Sequence, residues 1–205
     1  SVIDKIETLD TQNPILFDED WDIQYIRDAY GPVVNLDYFP VRIAQLPIDP
    51  NSGNRFLPDQ FLEYVRKNLN LFFDGNPTKF GAYNSAENSI WQSPNPLGAI
   101  MRFDIPVSLF GFLPGSQDGS VVCSKSQPLQ WIFSTIKSHI DWNHPVSGNR
   151  EFGISQNQDG TYTFYTRGAD RVAEPLDVLM GSLPLNQDAF GGADLLWTKF
   201  IQNLS

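Results

Sequence analysis

Apolar positions in this chain fall into runs whose spacing changes along its length, and that spacing predicts the elements. Between Leu57 and Phe73, the residues Phe61, Leu62, Val65, Leu69 and Phe72 recur at helical intervals behind Pro58, a residue suited to a first helical turn. The pattern predicts a helix over 57–73, stopped by Asp74-Gly75 and Asn76-Pro77. Pro128, followed by Leu129, Ile132, Phe133, Ile136 and Ile140, predicts a second helix over residues 127–142, closed by Pro145. Leu195, Leu196, Phe200 and Leu204 predict a last one over 192–204 with those four side chains toward the core, and Pro175 to Met180 suggests a short helix before it.

Other runs have strand character. Ala99 to Asp104, Val107 to Phe112 and Ser120 to Ser124 are apolar or aromatic and short, and the Gln117-Asp118-Gly119 turn predicts a hairpin around residues 105–124. Glu151 to Ser155 and the alternating Thr161 to Thr166 flank Asp159-Gly160, which predicts an antiparallel hairpin over Gly153 to Arg167. The two QDG turns are followed by unrelated segments, so they are read as shared turn chemistry and not as an internal repeat. Residues 1–54 carry closely spaced prolines and glycines and are read as an acidic, Pro-punctuated wrapping segment without long regular elements; within it, Val33 to Ala44, interrupted by Pro40, suggests an extended or edge strand. Residues 74–98 read as a long loop. The expected fold class is α+β in one domain over 1–205: an antiparallel sheet of hairpins, mainly residues 99–171, with helices near 57–73, 127–142 and 192–204 packed on one face.

Composition narrows the class of partner. The chain has 205 residues, 41% of them hydrophobic, enough for one sizeable core, and most of its 15 Phe, 7 Tyr and 5 Trp are expected inside that core. No apolar run approaches the roughly 20 residues of a membrane span, and the first residues show no signal-peptide pattern. A soluble protein is expected. The formal charge of −10 is concentrated in residues 1–50, which hold 10 acidic against 3 basic side chains. A field of that sign disfavours nucleic acid and anionic lipid, leaving a protein, small-molecule or glycan ligand as the partner. With Cys123 as the single cysteine, no internal disulfide can form and no thiolate metal site can assemble.

Candidate chemistry concentrates between residues 139 and 171. Both histidines, His139 and His144, flank Asp141 in one short stretch, and histidine is the usual general base near neutral pH. Their spacing of five puts them about 140° apart on a helix, a poor arrangement for a shared metal, and no metal site or cofactor motif is expected. Arg150 precedes the Asp159-Gly160 hairpin, and Arg167, Asp170 and Arg171 follow it. Folding the hairpin back brings Arg150, Asp170 and Arg171 together, as a grip for an anionic ligand or as a structural ion pair. Val121-Val122-Cys123 reads as mid-strand, so Cys123 is expected to be buried and inert. Gly115-Ser116-Gln117-Asp118-Gly119 lacks a serine where a nucleophile elbow needs one, and no phosphate loop or dinucleotide fingerprint occurs. Acidic stretches at 17–22 and 49–54 lack a calcium-loop pattern and read as solvated turns.

These features favour a non-catalytic recognition module, such as a component of a bacterial surface, secreted or effector assembly. The alternative is a hydrolase-like enzyme acting on a small anionic substrate, with His144, Asp141 and Arg150 as its catalytic residues. Either function would use Arg150, Arg167, Asp170 and Arg171 for binding.

Overall fold

A computed structural model describes residues 1–12, 21–73, 78–104, 118–141, 143–173 and 188–204. Its elements in chain order are α1 (Val2–Gln12), β1 (Asp22–Ile23), β2 (Asn35–Ile43), α2 (Pro58–Lys67), β3 (Lys79–Ala82), α3 (Ser85–Gln92), β4 (Ile100–Asp104), β5 (Gly119–Gln127), β6 (Gln130–Lys137), β7 (Val146–Gln156), β8 (Tyr162–Val172) and α4 (Asp188–Gln202). A 3-10 turn over Leu69–Phe73 extends α2.

The strands form one curled antiparallel sheet in the order β2-β8-β7-β6-β5-β4-β3. The short β1 pairs with Ile136 and Lys137 of β6, beyond the stretch of β6 that β7 covers. The expected α+β class with an antiparallel sheet is what forms. Alternation along the strands gives the sheet two unlike faces. Its inner face carries Phe103, Trp131, Phe133, Phe152 and Phe164, packed with Phe61 and Val65 of α2 and with Leu196, Trp197 and Phe200 of α4. Its outer face carries Ile100, Val122 and Ile136, covered by Ile6 of α1 and by Trp21. Lys5 of α1 is pinned there by Glu87 of α3 at 2.7 Å, and Glu87 in turn accepts the Ile100 amide at 2.8 Å. Among the described residues no helix is long and apolar enough to cross a membrane.

Several expectations match. The segment 57–73 is helical with Pro58 in its first turn, and Leu57 N–H donates to the Gln60 side chain at 3.0 Å. Val33 to Ala44 contains the edge strand β2, where Pro40 costs no interior ladder. The hairpin β7–β8 turns at Asp159-Gly160, with Gly160 at φ 83°. The final helix is α4, although Leu195 faces solvent while Leu196, Phe200 and Leu204 are buried.

Three expectations are corrected. Residues 130–137 form a strand, not part of a helix over 127–142. Both faces of β6 are covered, so apolar residues at alternate positions on each face merged into a run that mimics helical spacing. The β-branched and aromatic residues Trp131, Ile132, Phe133, Thr135 and Ile136 fit the strand, and Pro128-Leu129 is a two-residue turn from β5. The presumed loop at 74–98 contains β3 and α3, the latter capped by Asn84, whose side chain accepts the Glu87 amide at 2.9 Å. The N-terminal segment starts with the 11-residue helix α1, because its first twelve residues precede the proline-rich part. In the 105–124 region, β4 and β5 do pair, but Gly119 sits in the ladder opposite Phe103. Val107 to Phe112, Pro175 to Met180 and most of the acidic stretch at 17–22 lie outside the described residues.

Candidate functional site

The site residues suggested by sequence are distributed by strand parity. On β8, Asp170 has the inward parity of Phe164, whereas Arg167 and Arg171 have the outward parity. Arg167 pairs with Glu151 at 2.9 Å, and Arg171 donates to the carbonyls of Gly31 at 2.6 Å and Ile26 at 3.1 Å. The four-residue binding set therefore reduces on the inner face to Arg150 and Asp170, 4.0 Å apart.

The other two candidates are engaged elsewhere. Asp141 is on the outer side, where Arg102 holds both carboxylate oxygens, donating from Nε at 2.8 and 3.0 Å, and Ser120 donates to Oδ2 at 2.5 Å. Ser138 supports the group through the Asp141 amide at 3.1 Å, and Asp141 holds Arg102 above its usual range. Tyr83, on the same side, is pushed up to about 12 by burial and secondarily by Asp141; its hydroxyl lies 3.2 Å from Nε2 of His139. His144 is buried against Gly119, where an added Cβ would strike its ring. Its Nδ1 lies 2.9 Å from the Val146 carbonyl oxygen and 3.2 Å from the Val146 nitrogen, and burial pulls its pKa down to about 4. At neutral pH it is an uncharged, packed imidazole. Asp141, His144 and Arg150 do not converge, because Asp141 and Arg150 are on opposite faces of the sheet.

At the inner end of the sheet, where β2 begins and β8 ends, a polar cluster interrupts the aromatic core. Arg150 of β7 donates from both terminal nitrogens to Asp37 of β2, at 2.9 and 2.5 Å, and lies 4.3 Å over the ring of Trp197 in α4. Gly168, paired with Arg150 in the ladder, makes room for this: a Cβ there would approach the guanidinium carbon to 2.9 Å and Asp37 to 3.1 Å. Asp170 shares the cluster and is only 9% exposed, yet its Oδ1 is buried with no hydrogen-bond partner among the described residues. Burial pushes its carboxyl up to about 6; Arg150 opposes the shift, Asp37 adds to it, and the Asn35 side chain, opposite Asp170 in the ladder, opposes it by hydrogen bonding. Asp194 of α4 feels the same field and is also raised, by burial first and then by Asp37.

A second unmet polar atom faces the same interior. Trp131 is 1% exposed, stacked on Phe152 at 4.6 Å, and its indole Nε1 has no acceptor among the described residues. Cys123, also inward, is fully buried and pushed up to about 12 by that burial, so it is a thiol and not a nucleophile at neutral pH.

Sequence reading missed Asp37, Trp131 and Trp197 as parts of this interior, and the exposed Asp194 at its rim. A signal for the first was present: Asn35, Asp37, Phe39, Val41 and Ile43 alternate, so a strand there puts a carboxylate on the apolar face.

No protein-family model matches the chain, and no curated protein matches it. Solved structures similar to it include a START superfamily protein from Mycobacterium smegmatis (9% identity, 83% of this chain and 99% of that one, TM-score 0.43). A major latex-like protein from Panax ginseng is also similar (8% identity, 78% and 97%, TM-score 0.42), as is a protein from Deinococcus radiodurans (11% identity, 83% and 98%, TM-score 0.43). Likeness this distant carries no argument about ligand or activity, which rest on the residues of the inner face.

Proposed function

We propose that this chain is a non-catalytic recognition module that holds a small molecule against the inner face of its sheet. One observation carries the reading: two buried polar atoms of opposite kind, the acceptor Asp170 Oδ1 and the donor Trp131 Nε1, face the same interior with no hydrogen-bond partner among the described residues. Leaving a buried polar group unpaired costs about 1–3 kcal/mol, and most buried polar groups are satisfied, so two on one face are positions that a ligand would complete. In register they are four positions of β7 apart, Asp170 of β8 opposite Gly148 and Trp131 of β6 opposite Phe152, which is about 13 Å along the strands and two strand spacings, roughly 10 Å, across them, a span for an elongated small molecule. The hydrolase alternative has less behind it, since the histidine is neutral and packed and Asp141 is saturated by Arg102 and Ser120.

The test is a small-molecule screen on the full chain, read by tryptophan fluorescence and amide chemical shifts, with substrate turnover followed in parallel. The expected outcome is a saturable ligand that perturbs Trp131, Trp197 and the amides of β7 and β8 and is released unchanged. Chemical conversion of the ligand, or shifts confined to the outer face, would overturn the reading.

A further inference from the structure

The inner cluster also indicates the charge of what it would hold. Resting on the recognition reading above, we infer that the end of the inner face formed by Asp37, Arg150, Asp170 and Asp194 takes a cationic ammonium group, with Asp170 Oδ1 accepting its N–H.

The sequence suggested the opposite sign, because arginines bracket the β7–β8 hairpin. The structure removes them one by one: Arg167 and Arg171 are on the outer face, bound to Glu151 and to backbone carbonyls. The remaining arginine is already committed, since Asp37 occupies both terminal nitrogens of Arg150 and Trp197 covers its face. An incoming anion would have to displace a buried bidentate partner and would meet Asp170 and Asp194 beside it. Three carboxylates, Asp37 on β2, Asp170 on β8 and Asp194 on α4, surround one guanidinium on β7, and each of these groups acts on the Asp170 carboxyl. With all of them ionised the cluster carries an excess of negative charge, and the atom left over is an acceptor. A ligand ammonium supplies the missing charge and the missing donor together, and a charge-assisted bond to a buried carboxylate is stronger than a neutral one. The apolar part of such a ligand would compete with α2 and α4 for the neighbouring inward positions, Phe152 and Phe164, which Phe61, Trp197 and Phe200 cover in this structure.

The experiment compares three probes of one size, n-hexylamine, n-hexanol and hexanoate, by calorimetric titration of the full chain at about pH 7.5, where Asp170 is ionised. The amine is expected to bind about 10- to 100-fold tighter than the alcohol, and the carboxylate weakest. Asp170→Asn should reduce the amine to the level of the alcohol. Should that variant fail to fold, wild type at about pH 5 replaces it, because Asp170 is then protonated while the amine keeps its charge, and the preference should fall about tenfold. Alcohol or carboxylate binding as tightly as the amine, or an amine preference indifferent to both Asp170→Asn and acidification, overturns the inference and leaves interior binding standing. No binding of any of the three overturns it as well; the recognition reading falls with it only if the wider screen also leaves Trp131 and Trp197 unperturbed.

Discussion

Arg102 on the outer face of the sheet and Arg150 on its inner face each centre a polar cluster, and the two clusters differ in how completely their aspartates are satisfied. On the outer face, Asp141 spends its oxygens on Arg102 and Ser120, with Ser138 behind them. On the inner face, Arg150 is equally well held by Asp37, but Asp170 stands beside the pair with one oxygen that has no hydrogen-bond partner among the described residues and its carboxyl raised to about 6. A buried polar network with every member paired fixes a local structure and has nothing to offer a ligand; one with an acceptor left over destabilises the empty fold and can recover that cost on binding. With Asp118 also on Arg102 at 3.4 Å, the outer cluster has the form of a structural pin, and under the proposed reading the inner one is where a ligand would bind.

The largest effect expected from this contrast is at the pin. Asp141→Ala takes the closest partner from Arg102 and Ser120, which keep only Asp118 at 3.4 Å and Ser138 at 3.0 Å, and should cost about 3 kcal/mol by urea denaturation, the low end for a broken buried pair because Arg102 is partly exposed. A loss below about 1 kcal/mol would show that the outer cluster does not hold that corner of the sheet.

A slightly smaller effect separates two ionisable groups with opposite signs. The folded-state value of His144 is lowered from 6.5 to about 4, so the stability it contributes is complete above 6.5 and is lost as pH falls toward 4. Asp170 is raised from 3.8 to about 6, so its ionisation penalty is fully present above 6 and is relieved as pH falls toward 3.8. Between about pH 6 and pH 4 the two nearly offset each other in wild type. Asp170→Asn removes one arm, and its stability relative to wild type should rise by roughly 2–2.5 kcal/mol between pH 4 and pH 7. Parallel pH profiles for the two proteins would mean that Asp170 titrates normally and that the inner cluster is no less satisfied than the outer.

Gly168→Ala drives a methyl group toward the Arg150 guanidinium and Asp37, and should cost about 2 kcal/mol while weakening any inner-face ligand. Unchanged binding would place recognition away from the cluster. Smallest is Gly160→Val at the far tip of the same hairpin, where nothing crowds the Cβ position and only the positive φ is opposed. It should cost about 1–2 kcal/mol and leave ligand affinity untouched, the control that a binding loss at Gly168 is local.

Much of the frame was legible along the chain. The helical period at 57–73, the Asp159-Gly160 turn and the edge strand broken by Pro40 are local signals, and each needs only its own residues to declare itself. What misled was β6: a strand covered on both faces has no polar side to reveal its period of two, and coverage is a property of α1, Trp21 and the aromatic core, not of residues 130–137. The candidate site divides in the same way. Sequence alone indicated that Arg150 and Asp170 come to the same end of the hairpin, because an Asp-Gly turn folds its arms back on one another; the register itself, Arg150 opposite Gly168, is set by a three-residue loop over residues 158–160 that the Asp-Gly signal does not specify. Which face each arginine occupies, that Asp37 arrives from more than a hundred residues away to neutralise Arg150, and that one oxygen of Asp170 stays without a donor were decided only when β2 paired with β8 and α4 closed over them. Charge balance at a buried point is a sum over elements distant in the chain, and no local pattern contains it.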